Sequence, residues 1–462
     1  MVRAQVDFHH ARVTLPQQPP TTQLFNGTIP EIHRQATLGS PTVTILEHYT
    51  TPAPSSISLL LTGSLPQSPT TADPPTPSYK YNWIDGAEDL WRYCPGGYGY
   101  HPIMIGDVLH SIYRIVDKLG FGSYSTVWLT WDKIDRRYLA LKAGAAGVVL
   151  HVAEILRKLS ASQTSLLGHP GRSSIPIAFD DFHIHGPNVT HQRYTREPAR
   201  CDLREISYSR LFPLDVARAL CGGLTQAIAY MHSQGFVHGD IHLPNVLPKL
   251  QSSFDHLSQA LPPNVPTRVV VPIFLGKYAG DLELSDAQVI LSDIGEAFAP
   301  DLRTRLGKDR HTPPAMRPPE ATFEPDKPLS YSADVWSLAV AIWEILGMKA
   351  IFSMKYVPHD EIIAQWIEVL GAEWFDDEGR PTRDRWVWPS IEQASEDGMQ
   401  KYRRKHDIGE SSSEETIAIF HLMRRMLAFR PEDRPSVEEV LKSEWMVKWV
   451  MPDYHQSHQL EQ

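Results

Sequence analysis

A chain of 462 residues with 42% hydrophobic and 21% charged side chains has ordinary globular composition, with room for two or three folding units and a sizeable core. Its net charge of −10 argues against a general nucleic-acid binder, whose affinity rests on neutralising phosphates, and suits basic peptide partners. Three cysteines (Cys94, Cys201 and Cys221) without metal or redox spacing imply a reducing compartment, and apolar runs such as 58–61 and 338–346 are too short or interrupted to span a bilayer, so a soluble chain without membrane contact is expected.

Residues 1–80 are rich in Pro, Thr, Ser and Gln and carry no sustained hydrophobic period, which predicts a disordered tail. Arg3, Arg12 and Arg34 are interspersed with Pro16, Pro19 and Pro20, which interrupt the amphipathic helix of a transit peptide. Aromatic content rises at 79–83, and Tyr93-Cys94-Pro95-Gly96-Gly97-Tyr98 reads as a turn leading into folded structure.

From Tyr113 the pattern is strand (113–119), glycine-containing turn (120–125), strand (126–130), then a third strand, 138–142, ending in Lys142. A Gly-x-Gly between strands lets backbone amides approach phosphate oxygens without a Cβ clash. With Val127 just beyond and an Ala-x-Lys strand following, Gly120-Phe121-Gly122-Ser123-Tyr124-Ser125 reads as a nucleotide-covering loop and Lys142 as the ligand of the α- and β-phosphates. The spacing of Val149, Val152, Ile155, Leu156 and Leu159 predicts a helix over 148–160. Residues 175–182 and 191–199 read as strands joined by a Gly-Pro-Asn turn, the second unusually polar because it carries Arg193 and Arg196. Unpaired charge in a buried strand is costly.

A helix is predicted over 214–234, with Val216, Ala219, Leu220, Leu224, Ile228, Ala229 and Met231 on one face. It leads into Val237-His238-Gly239-Asp240-Ile241-His242-Leu243-Pro244-Asn245. After an insertion at about 250–284, the strand 289–291 presents Ser292-Asp293-Ile294-Gly295. One carboxylate (Asp240) to orient a hydroxyl, plus an amide and a second carboxylate (Asn245, Asp293) to share Mg²⁺, is the donor set of phosphoryl transfer. The loop itself resembles those of aminoglycoside and choline phosphotransferases as closely as those of protein kinases. Further along, Arg317-Pro318-Pro319-Glu320, Asp334 in Ser332-Ala333-Asp334-Val335-Trp336, and Arg434 favour the protein kinases: Asp334 is expected to brace the catalytic loop and Arg434 to pair with Glu320.

Together with 93–98, His101-Pro102, Ile105-Gly106-Asp107, 118–129, the insertion after Asn245, Arg317 and the 361–388 insert, these motifs resemble the SR-protein kinases, particularly their fungal members. The resemblance implies an α+β, bilobal protein-kinase fold: a disordered tail (1–80), a small β-rich N-lobe (81–200), a larger helical C-lobe (201–453) and a C-terminal tail (454–462). It further implies a monomeric serine/threonine kinase of the cytoplasm and nucleus that uses ATP and Mg²⁺ on Arg/Ser-rich proteins linked to mRNA splicing, without direct nucleic-acid contact. Asp240, Lys142 and His242 would then be catalytic, Asn245 and Asp293 would hold the metal, and nucleotide would meet Leu119, Gly120, Phe121, Gly122, Ser123, Tyr124, Ser125, Val127, Ala140, Lys142, Glu197 and Ala199. The acids Glu361, Glu368, Glu373, Asp376, Asp377 and Glu378 lie near the insert that in this family flanks a groove for arginines; a solvated acidic face is the alternative.

The chain departs from the family pattern at four places. The helical glutamate expected to pair with Lys142 is replaced by Val152, and the nearest acid, Glu154, lies about 200° round the helix. His242 stands for a phosphate-contacting lysine, and Ile294 for a phenylalanine. Gly239 replaces an arginine, leaving no cation for a phosphorylated activation segment to organise; constitutive competence, insensitive to substitution of Thr304 and Thr312, is the expectation. The alternatives to an active kinase are a catalytically impaired binding module and a small-molecule phosphotransferase.

Overall fold

The computed structural model describes Tyr93 and residues 99–146, 151–161, 168–186, 189–199, 201–250, 272–353, 359–370 and 388–460. The tail 1–80, the turn 94–98, most of the insertion after Asn245 and the acids Glu373, Asp376, Asp377 and Glu378 lie outside the described residues.

A six-stranded antiparallel sheet forms the N-lobe: β1 Val108–Leu109, β2 Tyr113–Phe121, β3 Ser125–Asp132, β4 Arg137–Gly144, β5 Asp180–Gly186 and β6 Val189–Arg196, in the order β1-β2-β3-β4-β6-β5. The expected first strand continues through Gly120 and Phe121, so the covering loop narrows to a three-residue turn at 122–124. The segment 175–179 is extended without pairing as a strand, and β5 begins at Asp180. One sheet face packs Ile103, Leu109, Tyr113, Ile115, Trp128, Leu139, Leu141, Ala143 and Phe182 into a small core. Arg193, opposite Ala143 and Phe182, is on this face, fully buried, with no hydrogen-bond partner for any guanidinium nitrogen. Burial pushes its pKa down to about 10.

Helix α1, Val152–Ser160, buries Val152, Ala153, Ile155, Leu156 and Leu159 at helical spacing in the main core. That core belongs chiefly to the C-lobe: α2 Leu203–Ile206, α3 Leu214–Ser233, the hairpin β7 Val246–Pro248 with β8 Val289–Leu291, α4 Pro319–Phe323, α5 Tyr331–Leu346 and α6 His359–Val369. Beyond the 371–387 segment come α7 Ile391–Ser395, α8 Lys401–His406, α9 Ser413–Met426, α10 Val437–Leu441 and α11 Met451–Gln459. α3 and α5 are buried along nearly their whole length, which is why their sequences are apolar almost all round. The short helical turn at 170–174 docks on α3 so closely that a Cβ on Gly171 would overlap the Gln226 carbonyl. The C-lobe runs on past residue 453, the boundary expected from sequence: α11 buries Tyr454 and Ser457, and Tyr454 packs on the α3 glycines Gly222 and Gly223.

Candidate active site

Asp334, at the start of α5, is fully buried and accepts from the backbone N–H of His238 (2.7 Å) and of Gly239 (2.9 Å) and from His232 Nε2 (3.0 Å). Burial works against its ionisation, but these donors, with His232 foremost, outweigh it and hold the carboxyl below its ordinary range. The expected brace is therefore present. His238, in turn, accepts from Asp240 N at Nδ1 (3.2 Å), which leaves Nε2 to donate to the Ser292 carbonyl (3.1 Å). One neutral imidazole thus ties the loop of Asp240 to the strand end that carries Asp293.

Gly239 is explained by geometry. Its φ is +81°, and a Cβ there would stand 2.9 Å from the Glu296 carbonyl oxygen, so any side chain would meet both strain and backbone. The cation absent at this position is supplied from the activation segment. Buried Arg310 donates from Nε to Thr312 Oγ1 (2.6 Å) and from Nη2 to Ser337 Oγ (3.1 Å), and Thr312 donates to the Gly239 carbonyl (2.8 Å). Thr312 is thus a buried link between segment and loop, and its substitution is not the neutral probe expected from sequence; Thr304 alone is exposed.

Asp240 sits with Oδ2 3.3 Å from His242 Nε2 and 3.2 Å from Asn245 Nδ2, which also donates to the Asp240 carbonyl (2.8 Å). Burial opposes ionisation of Asp240, but the His242 contact overcomes it and the pKa is lowered. With Nδ2 spent on Asp240, the amide oxygen of Asn245 remains as a hard donor.

Asp293 adopts left-handed backbone angles (φ 58°, ψ 55°), uncommon for a non-glycine residue, and its half-exposed carboxylate lies 2.7 Å from Lys142 Nζ. The Lys142 charge, despite opposing burial, keeps the Asp293 carboxyl deprotonated at a lowered pKa. The acid expected on α1 does not fill this role. Glu154 pairs with Lys158 (2.8 Å) on the exposed side, while buried Val152 faces the Asp293–Gly295 turn, 3.9 Å from where a Gly295 Cβ would stand. Lys142 therefore takes its counter-charge from a metal-ligand candidate. Ile294 is buried, as the hydrophobic exchange requires.

The covering loop is closed. Gly122 N donates to Ser125 O (2.8 Å), Ala145 N donates to Tyr124 O (2.8 Å), and the phenol of Tyr100 donates to the Gly122 carbonyl. The exposed Tyr124 ring meets His311 of the activation segment edge-on at 6.2 Å. Farther off, Glu320 and Arg434 form the expected bidentate pair at 2.6 and 2.9 Å, with Arg434 also bonding three carbonyls and lying 5.2 Å over Trp336.

Ala140 and Lys142 share a sheet face, and β6 leads from Arg196 into Glu197 and buried Ala199, which bridges to Lys249. Gly120 and Phe121 of β2 pair with Val127 and Thr126 of β3 on either side of the turn. Glu197 also lines a cavity of about 380 Å³ with Leu159, His169, Arg172, Tyr230 and Lys249. Of the insert acids that are described, Glu361 accepts from the Trp388 indole and Glu368 from the Trp388 backbone N–H (2.7 Å), so both anchor that residue rather than forming a bare acidic face.

A phosphotransferase with two lobes, a closed glycine-containing loop and an Asp-braced catalytic loop is what this geometry defines. The protein kinase domain family model matches residues 113–446, and the chain belongs to that family; it is an ATP-dependent protein serine/threonine kinase. Within that family the chain is similar, over part of its length, to several named kinases. A serine/threonine protein kinase of Aspergillus fumigatus is 26% identical over 375 residues, covering 75% of this chain and 88% of that protein. Serine/threonine-protein kinase spk-1 of Caenorhabditis elegans is 32% identical over 177 residues, 35% of this chain and 17% of its own length. SRSF protein kinase 3 of Homo sapiens is 34% identical over 167 residues, 35% of this chain and 29% of its own.

Proposed function

We propose that the chain transfers the γ-phosphate of ATP to serine or threonine hydroxyls of Arg/Ser-rich proteins linked to mRNA splicing, with Mg²⁺ as the metal. The observation that carries the reading is the pairing of Asp240 with Asn245 on a loop fixed by Asp334 and by Arg310 through Thr312, with the strand end that carries Asp293 tied to that loop by His238. The two oxygen donors suit a hard divalent cation: the Asp293 carboxylate is half exposed, and the Asn245 amide is oriented with its nitrogen already spent. Bound there, Mg²⁺ supplies charge neutralisation at the phosphates.

The chain's own groups do the rest. Asp240, deprotonated at working pH, orients the acceptor hydroxyl and receives its proton. His242 keeps that carboxylate ionised and offers a donor beside it. Lys142 holds the phosphates, and the 120–125 loop, anchored by Tyr100, covers them. The name of the SRSF protein kinase 3 relative supports the Arg/Ser-rich substrate class. Transfer of labelled γ-phosphate to an Arg-Ser repeat peptide tests the reading: it should need Mg²⁺ and vanish in both Asp240→Ala and Asp293→Asn. Val152 in place of an acid favours a second reading, an impaired binding module; absence of Mg²⁺-ATP binding in the unmodified chain would establish it over the first.

A further inference from the structure

The two arginines of β6 lie on opposite faces of the strand. Arg196 sits directly across from Ala140, two residues along β4 from Lys142, and so shares the face that carries Lys142. Its side chain is buried, with 7% exposure, and makes one hydrogen bond, from Nη1 to the Glu197 carbonyl at 3.1 Å. A guanidinium has donors and no acceptor, so the remaining N–H groups of Arg196 present donors beside the carbonyl of Glu197, a residue that the resemblance places at the nucleotide.

We propose that Arg196 adapts the base subsite to a 6-oxopurine, so that GTP serves as phosphate donor alongside ATP. The proposal rests on reading the Lys142–Asp293 cleft as the nucleotide site. Guanine presents an acceptor, O6, where adenine presents its N6 donor, and arginine pairs with the O6/N7 edge of guanine in preference to other bases. The Glu197 carbonyl keeps a second lone pair after accepting from Arg196, so adenine remains admissible. In the reaction the bond from Pγ to the β–γ bridging oxygen breaks and a Ser Oγ–P bond forms; the hydroxyl proton passes to Asp240, and GDP leaves with the electron pair.

The test compares kcat/KM for ATP, GTP and ITP in the full-length chain with Mg²⁺ and an Arg-Ser repeat peptide, alongside nucleotide-induced thermal shifts without peptide. The wild type should use GTP and ITP within about tenfold of ATP. Arg196→Met should raise the ATP-to-GTP ratio by roughly five- to a hundredfold, the discrimination of one such pairing. Efficient use of ATP with GTP and ITP both more than a hundredfold poorer would overturn the proposal while leaving the nucleotide site intact, and the wild-type comparison alone suffices if the variant does not fold. An unchanged ratio in a folded Arg196→Met would equally overturn it. Failure of every nucleotide to bind would bring down the site reading as well.

Discussion

Replacing Asp334 by Asn keeps shape and removes charge. The carboxylate accepts three donors: His238 N and His232 Nε2 at Oδ2, and Gly239 N at Oδ1. An amide has one acceptor oxygen, so whichever way it turns, at least one buried N–H faces an NH₂. Each buried donor left without a partner costs about 1–3 kcal/mol, and the variant loses one or two of them, giving roughly 1–6 kcal/mol. Thermal denaturation should show a fall of several degrees. Because the freed N–H groups belong to the residues just before Asp240, kcat should drop on the order of a hundredfold while the KM for ATP changes little. The pH dependence adds a second signature. A carboxyl with a depressed folded pKa contributes stability that is present above its unfolded value, near pH 3.9, and is lost as pH falls through the folded pKa. The variant should lack this component, so its stability deficit should shrink in acid. A variant with wild-type melting temperature and kcat at neutral pH would refute the brace.

Two further substitutions probe the catalytic centre. Glu154→Gln should leave steady-state phosphoryl transfer unchanged, because Glu154 pairs with Lys158 and not with Lys142; a tenfold loss would place it at the phosphates. His242→Ala removes the contact that opposes the burial of Asp240, so the acidic limb of the kcat/KM profile should move to higher pH, and an unmoved limb would show that Asp240 is held ionised by other groups.

The parts of the site that sequence made legible are those with fixed spacing to a neighbour. Glu320, Asp334 and Arg434 each stand at a set offset within a short motif, and all three engage the groups expected of them. Gly239 was visible as a departure but not as a requirement, since its reason is a positive φ and the approach of the Glu296 carbonyl, neither written locally. Arg310 was missed because it reaches Gly239 through Thr312, 73 residues away in sequence; the missing arginine in the loop was the one signal that another cation had to be sought. Arg193 and Arg196 were seen as an anomaly, but which face each takes depends on the register with β4. Helix α11 shows no apolar period: after Met451 and Pro452 it is polar except at Tyr454.

The hydrogen bond from Tyr100 to Gly122 sets a limit on where the catalytic unit can be cut. The family match begins at residue 113, yet Tyr100, Ile103, Leu109 and the whole of β1 lie before it, two of these residues in the N-lobe core and one bonded to the 122–124 turn. A chain trimmed to the match would keep every residue assigned to chemistry and lose one of the three hydrogen bonds that hold the turn. Gly99, whose carbonyl accepts from Ala146 just beyond β4, lies before the match as well.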